Sequence, residues 1–149
     1  MEFTSPDILS GLGTDVTPRT SDYADHLITG QPFVREYSFF SGRVVLKLQT
    51  MRADVAEAAT HLAETESTCE TVLKDRIDTY LAVASVKSLV CDAKPLQLEP
   101  QTPTAWLAGT PYQEICTQLS NEQLQLVVET YREFQRHMDD LRKQLSALA

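Results

Sequence analysis

Glu57, His61 and Glu64 are the residues whose types and spacing come nearest to chemistry. They follow one another at steps of four and three, so a helix would present them on one face. With Asp54 they make a set of carboxylates and one imidazole that could hold a metal ion. The same spacing also describes a solvated helix face with an i,i+4 Glu–His pair, which needs no ligand. Ligands drawn from one helix lack the outer partners that orient a metal site. The solvated face is therefore the preferred reading, and no metal or cofactor is expected.

Nucleophiles fare no better. Cys69, Cys91 and Cys116 are widely spaced, and no C-x-x-C occurs. Cys69 follows the acidic stretch Glu64–Glu66, which works against a thiolate, and Cys91 and Cys116 sit among apolar residues. These cysteines read as small core residues. An odd count without a framework points to reduced thiols and an intracellular place of synthesis. Asp139 and Asp140 point to different sides of a helix, with Arg142 and Lys143 nearby, as ordinary surface charge does. G-x-G-x-x-G, the P-loop, H-E-x-x-H and G-x-S-x-G are all missing. An enzyme is not expected.

The composition narrows the classes further. A chain of 149 residues is one domain by its length and can bury an ordinary core unaided. Its charged fraction of 23% gives no sign of wholesale disorder. The formal net charge of -8 argues against a nucleic-acid groove, which needs a basic face. It favours basic partners instead. The N-terminus does not read as a signal peptide. No apolar run approaches the roughly 18 residues of a membrane helix.

The elements that must position these residues come next. Residues 1–32 show no periodicity, and Glu2, Asp7, Asp15, Asp22 and Asp25 face Arg19 alone. They read as an extended acidic arm, with enough apolar residues to dock on a neighbour. Residues 33–50 carry the clearest β signal, two Val/Phe/Tyr-rich runs about Ser41-Gly42. Val44, Leu46 and Leu48 share one side of the second run, so one face of the hairpin is covered. Residues of about 51–84 keep a helical period, with a capping box at Ser67–Glu70. Residues 81–92 fit helix or strand equally. Pro95, Pro100, Pro103 and Pro111 mark irregular chain over 92–112, anchored by Trp106. Ser120-Asn121-Glu122-Gln123 is a second capping box, opening a long helix over 121–148.

That last helix carries the strongest pattern in the chain. Leu124, Val127, Tyr131, Phe134, Met138, Leu141, Leu145 and Leu148 recur at alternating steps of three and four. Its flanking positions lack the opposite charges of a parallel zipper, and two aromatics suit a core better than a dimer seam. The preferred partner is the chain's own helices, with the far end free to meet another protein. A self-associating coil is the alternative. The expected architecture is α+β: a small antiparallel hairpin or sheet on a helical hairpin, a long C-terminal helix and the arm.

The order of these parts resembles a family. "REYSFFSGRVVLKLQTM" leads into an acidic, alanine-rich helix, and "TYLAVASVKSLVCDAKPL" precedes an amphipathic C-terminal helix. This is similar to small tailed-bacteriophage proteins that act as tail assembly chaperones or baseplate hub assembly proteins. In that group a short strand pair ends in a Thr before a helix, and a later segment has the form L-x-x-S-h-V-S-h-[N/D]-G-x-P-L, with h apolar. Leu81, Ser85, Val86, Ser88, Leu89, Val90, Asp92, Pro95 and Leu96 match its shape. The resemblance spans 33–145. The turn glycine is replaced by Ala93-Lys94, and the arm lies outside the pattern.

The resemblance implies a non-enzymatic role in tail or baseplate morphogenesis, through contacts with other tail or baseplate proteins. The site would be the host cytoplasm during assembly, or the virion. Neither nucleic acid nor membrane is implied, and self-association is an option. The expected interaction residues are Tyr131, Phe134, Met138, Leu141 and Leu145 on the C-terminal face, with Val44, Leu46 and Leu48 on the hairpin. The edge of that hairpin would add a strand to a neighbour's sheet. The rival class is a helical adaptor or regulatory protein with a coiled-coil dimerising C-terminal helix.

Overall fold

The computed structural model describes residues 20–66, 70–96 and 102–148. Strand β1, Val34–Phe39, turns back into β2, Val44–Gln49. Tyr37 stands opposite Leu46 and Phe39 opposite Val44, while Glu36 stands opposite Lys47. The period of two therefore sorts the hairpin into a buried face and a solvated one. Tyr37, Phe39, Leu46 and Leu48 are buried. Glu36 and Lys47 pair at 3.7 Å on the outer side. The open end is tied twice: the Phe33 amide donates to Thr50 Oγ1 and the Thr50 amide to the Phe33 carbonyl, both at 3.0 Å.

Two further strands complete an antiparallel sheet in the order β1-β2-β3-β4: β3, Val86–Cys91, and the short β4, Lys94–Pro95. The β2–β3 register slips between Lys47 and Leu48, so that Lys47 faces Ser88 but Leu48 faces Val86. This bulge skips Lys87. Without it, simple alternation would put the Lys87 ammonium beside Leu89 in the core. With it, Val86 and Leu89 both point inward and Lys87 stays exposed.

Six helices are found among the described residues: α1 (Thr20–Thr29), α2 (Ala53–Glu66), α3 (Glu70–Ser85), α4 (Pro103–Leu107), α5 (Thr110–Gln118) and α6 (Asn121–Leu148). The fold is α+β. Helix α6 covers the inner face of the sheet, and Val127, Tyr131, Phe134, Met138 and Leu141 join the strand residues in one core. Helices α2 to α5 enclose a second core of Val55, Ala59, Ala63, Tyr80, Val83, Trp106 and Ile115. Met51, Leu81, Leu96 and Leu119 touch both. Helix α6 starts on a reciprocal capping box: the Gln123 amide donates to Ser120 Oγ at 3.1 Å, and the Ser120 amide to Gln123 Oε1 at 2.8 Å. The box proposed at Ser67–Glu70 lies largely outside the described residues.

Three sequence expectations change. The ambiguous stretch 81–92 is both things in turn, because α3 ends at Ser85 and β3 begins at Val86 with no loop between. The irregular assignment of 92–112 is corrected by α4 and α5. Pro103 and Pro111 sit in the first turn of these helices, where a missing N–H costs nothing. Thr102 caps α4, its Oγ1 accepting from the Ala105 amide at 3.1 Å. The extended arm of 1–32 is corrected over its described part. Residues 20–29 are helix α1, which packs on α6 and stops at Gly30, whose φ of 75° makes it a left-handed cap. Tyr23 is buried and meets Phe33 edge-on at 5.8 Å. Residues 1–19 lie outside the described residues.

The β3–β4 turn places Asp92 and Ala93 both at positive φ, 48° and 65°. A two-residue hairpin loop of this hand favours Gly at its second position, and an alanine there is strained by about 1 kcal/mol. Ala93→Gly is expected to raise the unfolding free energy by about that much, less the extra chain entropy of glycine. Urea denaturation checks it, and a loss of stability would overturn the turn geometry.

Burial also predicts a pH response. Desolvation pushes Tyr37, Tyr112 and Tyr131, three of the five tyrosines, up to about 12. A raised pKa means their neutral forms stabilise the fold fully below about pH 10, the unfolded value. That contribution fades as pH climbs from there toward 12. Phenolate absorbance followed alongside circular dichroism should show these three ionising only as the fold is lost.

Candidate functional site

The predicted interaction residues lie in the core. Tyr131, Phe134, Met138 and Leu141 are buried beneath the sheet, and Leu145 is half-buried against the same cluster. Leu46 and Leu48 are fully enclosed, and Val44 is half-buried. They hold the core, which is the first of the two roles expected of this face. The stripe on α6 and the apolar side of the hairpin belong to one cluster, with Val44 and Leu145 at its half-buried margin. Spacing alone could not separate the two uses, because a core face and a docking face have the same period.

The edge of the hairpin is a different matter. Among the described residues strand β1 pairs only with β2 and forms one edge of the sheet. Strand addition needs backbone groups rather than buried side chains. At the turn end, Arg43 clamps Asp92 through two hydrogen bonds of 2.7 and 2.8 Å, tying the β1–β2 turn to the β3–β4 turn. The Arg43 guanidinium holds the Asp92 carboxyl below the usual carboxylate range.

The surface that sequence reasoning half found is a groove of about 700 Å³ between α2, α4 and Leu81 of α3. Asp54, Glu57, His61 and Glu64 form a stripe along α2 that lines it, and Pro103 and Leu107 of α4 form the opposite wall. Glu57, His61 and Glu64 are exposed, as a solvated face requires. Among the described residues no group of three or more His, Cys, Asp or Glu side chains is arranged to hold a metal ion. The helix α4, missed in the sequence, supplies the apolar wall. Its signal was there, since Thr102-Pro103 is a cap followed by a first-turn proline.

Trp106 fixes α4 in place. It is fully buried and meets the Tyr80 ring at 5.7 Å, while Tyr80 meets Tyr112 at 4.6 Å. The Tyr80 hydroxyl donates to the Glu66 carboxylate, and Arg76 donates to the same hydroxyl at 3.4 Å. With Trp106 turned inward, Leu107 faces outward and remains 55% exposed.

The remaining groups with chemical potential are scattered. Burial and then the neighbouring Asp92 carboxylate push the Cys91 thiol up, which leaves little thiolate. Cys116 is exposed, and Cys69 lies outside the described residues. Burial, with Arg35 next, lowers the basicity of His137, whose ring stacks on Phe33 at 6.4 Å. No helix among the described residues is long and apolar enough to cross a membrane. No known protein family, curated protein or solved structure matches the chain.

The contrast between adjacent residues of α4 is testable. Trp106→Ala should cost about 3–5 kcal/mol, as loss of a large core aromatic does. Leu107→Ser should change stability by no more than about 0.5 kcal/mol. Thermal melts of the two variants check this, and a large loss for Leu107→Ser would mean that the groove is closed.

Proposed function

We propose that this protein is a non-enzymatic component of tail or baseplate morphogenesis in a tailed phage, acting through protein–protein contacts. The observation that carries this reading is the turn at Asp92-Ala93. The family pattern has [N/D]-G at this point, and such a pair is the preferred sequence for a loop with two positive φ values. Asp92 and Ala93 hold that backbone here although the glycine is absent. The rest of the pattern gains a structural sense around it. Val86 and Leu89 point inward, Pro95 sits on the edge strand, and the Leu96 amide donates to the Leu89 carbonyl at 2.8 Å. The Thr that ends the strand pair in the family corresponds to Thr50, whose hydroxyl closes the hairpin.

Two surfaces suit such a role, the β1 edge and the groove along α2. The coiled-coil adaptor reading is weakened by the burial of its own seam, since Val127, Tyr131, Phe134, Met138 and Leu141 pack on the sheet. Dimerisation through those positions would require α6 to leave the core.

The test is mass spectrometry of gradient-purified particles beside the infected-cell lysate. The expected result is this chain in a phage context. A fixed ratio to tail proteins in particles would make it a building block. Presence in the lysate alone would make it an assembly chaperone. Its absence from both would overturn the reading.

A further inference from the structure

We propose that the groove between α2 and α4 seats a basic amphipathic helix from a partner protein. The inference rests on the protein–protein reading above and names the chemistry of one partner. Asp54, Glu57 and Glu64 line one wall of the groove. At 1.5 Å per residue the stripe runs about 15 Å, three helical turns. None of the ion pairs among the described residues uses Glu57 or Glu64. Asp54 is already paired with Arg52 at 2.5 Å, so Glu57 and Glu64 are the carboxylates left open to a partner. Leu81, Pro103 and the exposed Leu107 supply the apolar contacts. A helix with leucines on one face and lysines or arginines flanking them matches this pattern of apolar surface and unpaired carboxylates.

Charge selects among the possible occupants. The chain's own residues 1–19 contain Glu2, Asp7 and Asp15 against Arg19 alone, the wrong sign for an acidic wall. A second copy carries a formal charge of -8 and would be repelled in general. A separate basic helix removes both difficulties. Its affinity would have a salt-dependent part from Glu57 and Glu64 and a salt-independent part from Leu81 and Leu107.

The experiment uses the full chain and two labelled helical peptides of about four turns, one built from leucine and lysine and the other from leucine and glutamate. Fluorescence anisotropy should show binding of the Leu/Lys peptide, weakening with added salt, and none of the Leu/Glu peptide. Glu57→Lys with Glu64→Lys should weaken binding about tenfold or more, since two attractions become repulsions. Leu107→Asp should weaken it comparably, and circular dichroism melts should confirm that both variants stay folded. Equal binding of the two peptides, or binding untouched by the charge reversal, would overturn the proposal. So would a dimer in sedimentation that Leu107→Asp dissociates, because the occupant would then be a second copy. Failure of the peptide with the chain still present in phage particles would overturn the groove alone. Peptide binding with no phage context would overturn the morphogenesis role and leave the groove standing.

Discussion

A sheet with one apolar face cannot stand in water, and most of this structure follows from covering that face. Tyr37, Phe39, Leu46, Leu48, Val86 and Leu89 lie on one side of the strands, each buried. Burial of one such side chain is worth about 1.5–3 kcal/mol, so their joint exposure would cost about as much as the whole stability of an ordinary domain. Helix α6 is the cover. Its apolar stripe is long enough to cross the sheet, and Phe134 stacks on Phe33 at 6.3 Å where the chain enters β1. Helix α1 joins the same cluster through Tyr23. The other face of the sheet is mixed, with Glu36, Ser38, Lys47 and Ser88 lying among the half-buried Val34, Val45 and Val90.

The second core is held to the first by the chain itself. Helix α3 runs into β3 without a connecting loop, so the direction of the strand sets the direction of the helix. Arg132 on α6 reaches Asp78 at 3.2 Å and Asp75 at 3.6 Å on α3, although these half-exposed pairs add little stability. The shared residues Leu81 and Met51 matter more, since apolar contact is continuous across them. The groove along α2 is a consequence of this layout. A helix as short as α4 has one residue, Trp106, that can be buried deeply, and the next one must face out. The acidic stripe of α2 and the exposed Leu107 therefore meet at the surface without either being needed for folding.

The legible parts of the chain were those with local physical signals. The alternation in 44–49 indicated which side of β2 is buried, and the steps of three and four in 124–148 indicated the face of α6. Ser120 and Gln123 announced the start of that helix by their capping chemistry. The prolines at 103 and 111 misled, because proline signals both a break and a first turn, and only the preceding threonine or glycine separates the two. Helix α1 was missed because its ten residues lie in a stretch whose glycines, prolines and acidic residues read as extended chain, and of its larger apolar residues only Tyr23 is buried while Leu27 and Ile28 remain exposed. The stripe of Glu57, His61 and Glu64 was visible as a face, but the wall opposite it was not.

By itself, then, the sequence determined the α+β class, the hairpin with its buried side and the long C-terminal helix, since each depends on periodicity and capping within one segment. The tertiary structure alone decided what each apolar face meets. A stripe of leucines and aromatics has the same spacing whether it lies on its own chain or on a stranger, and here it lies on the chain's own sheet and on α3. The bulge at Lys87 and the helix-to-strand junction at Ser85 belong to the same category, because both are set by the partner strand β2. The groove also exists only in three dimensions. Its acidic wall lies at 54–64 and its apolar wall at 103–107, and no pattern within either segment refers to the other.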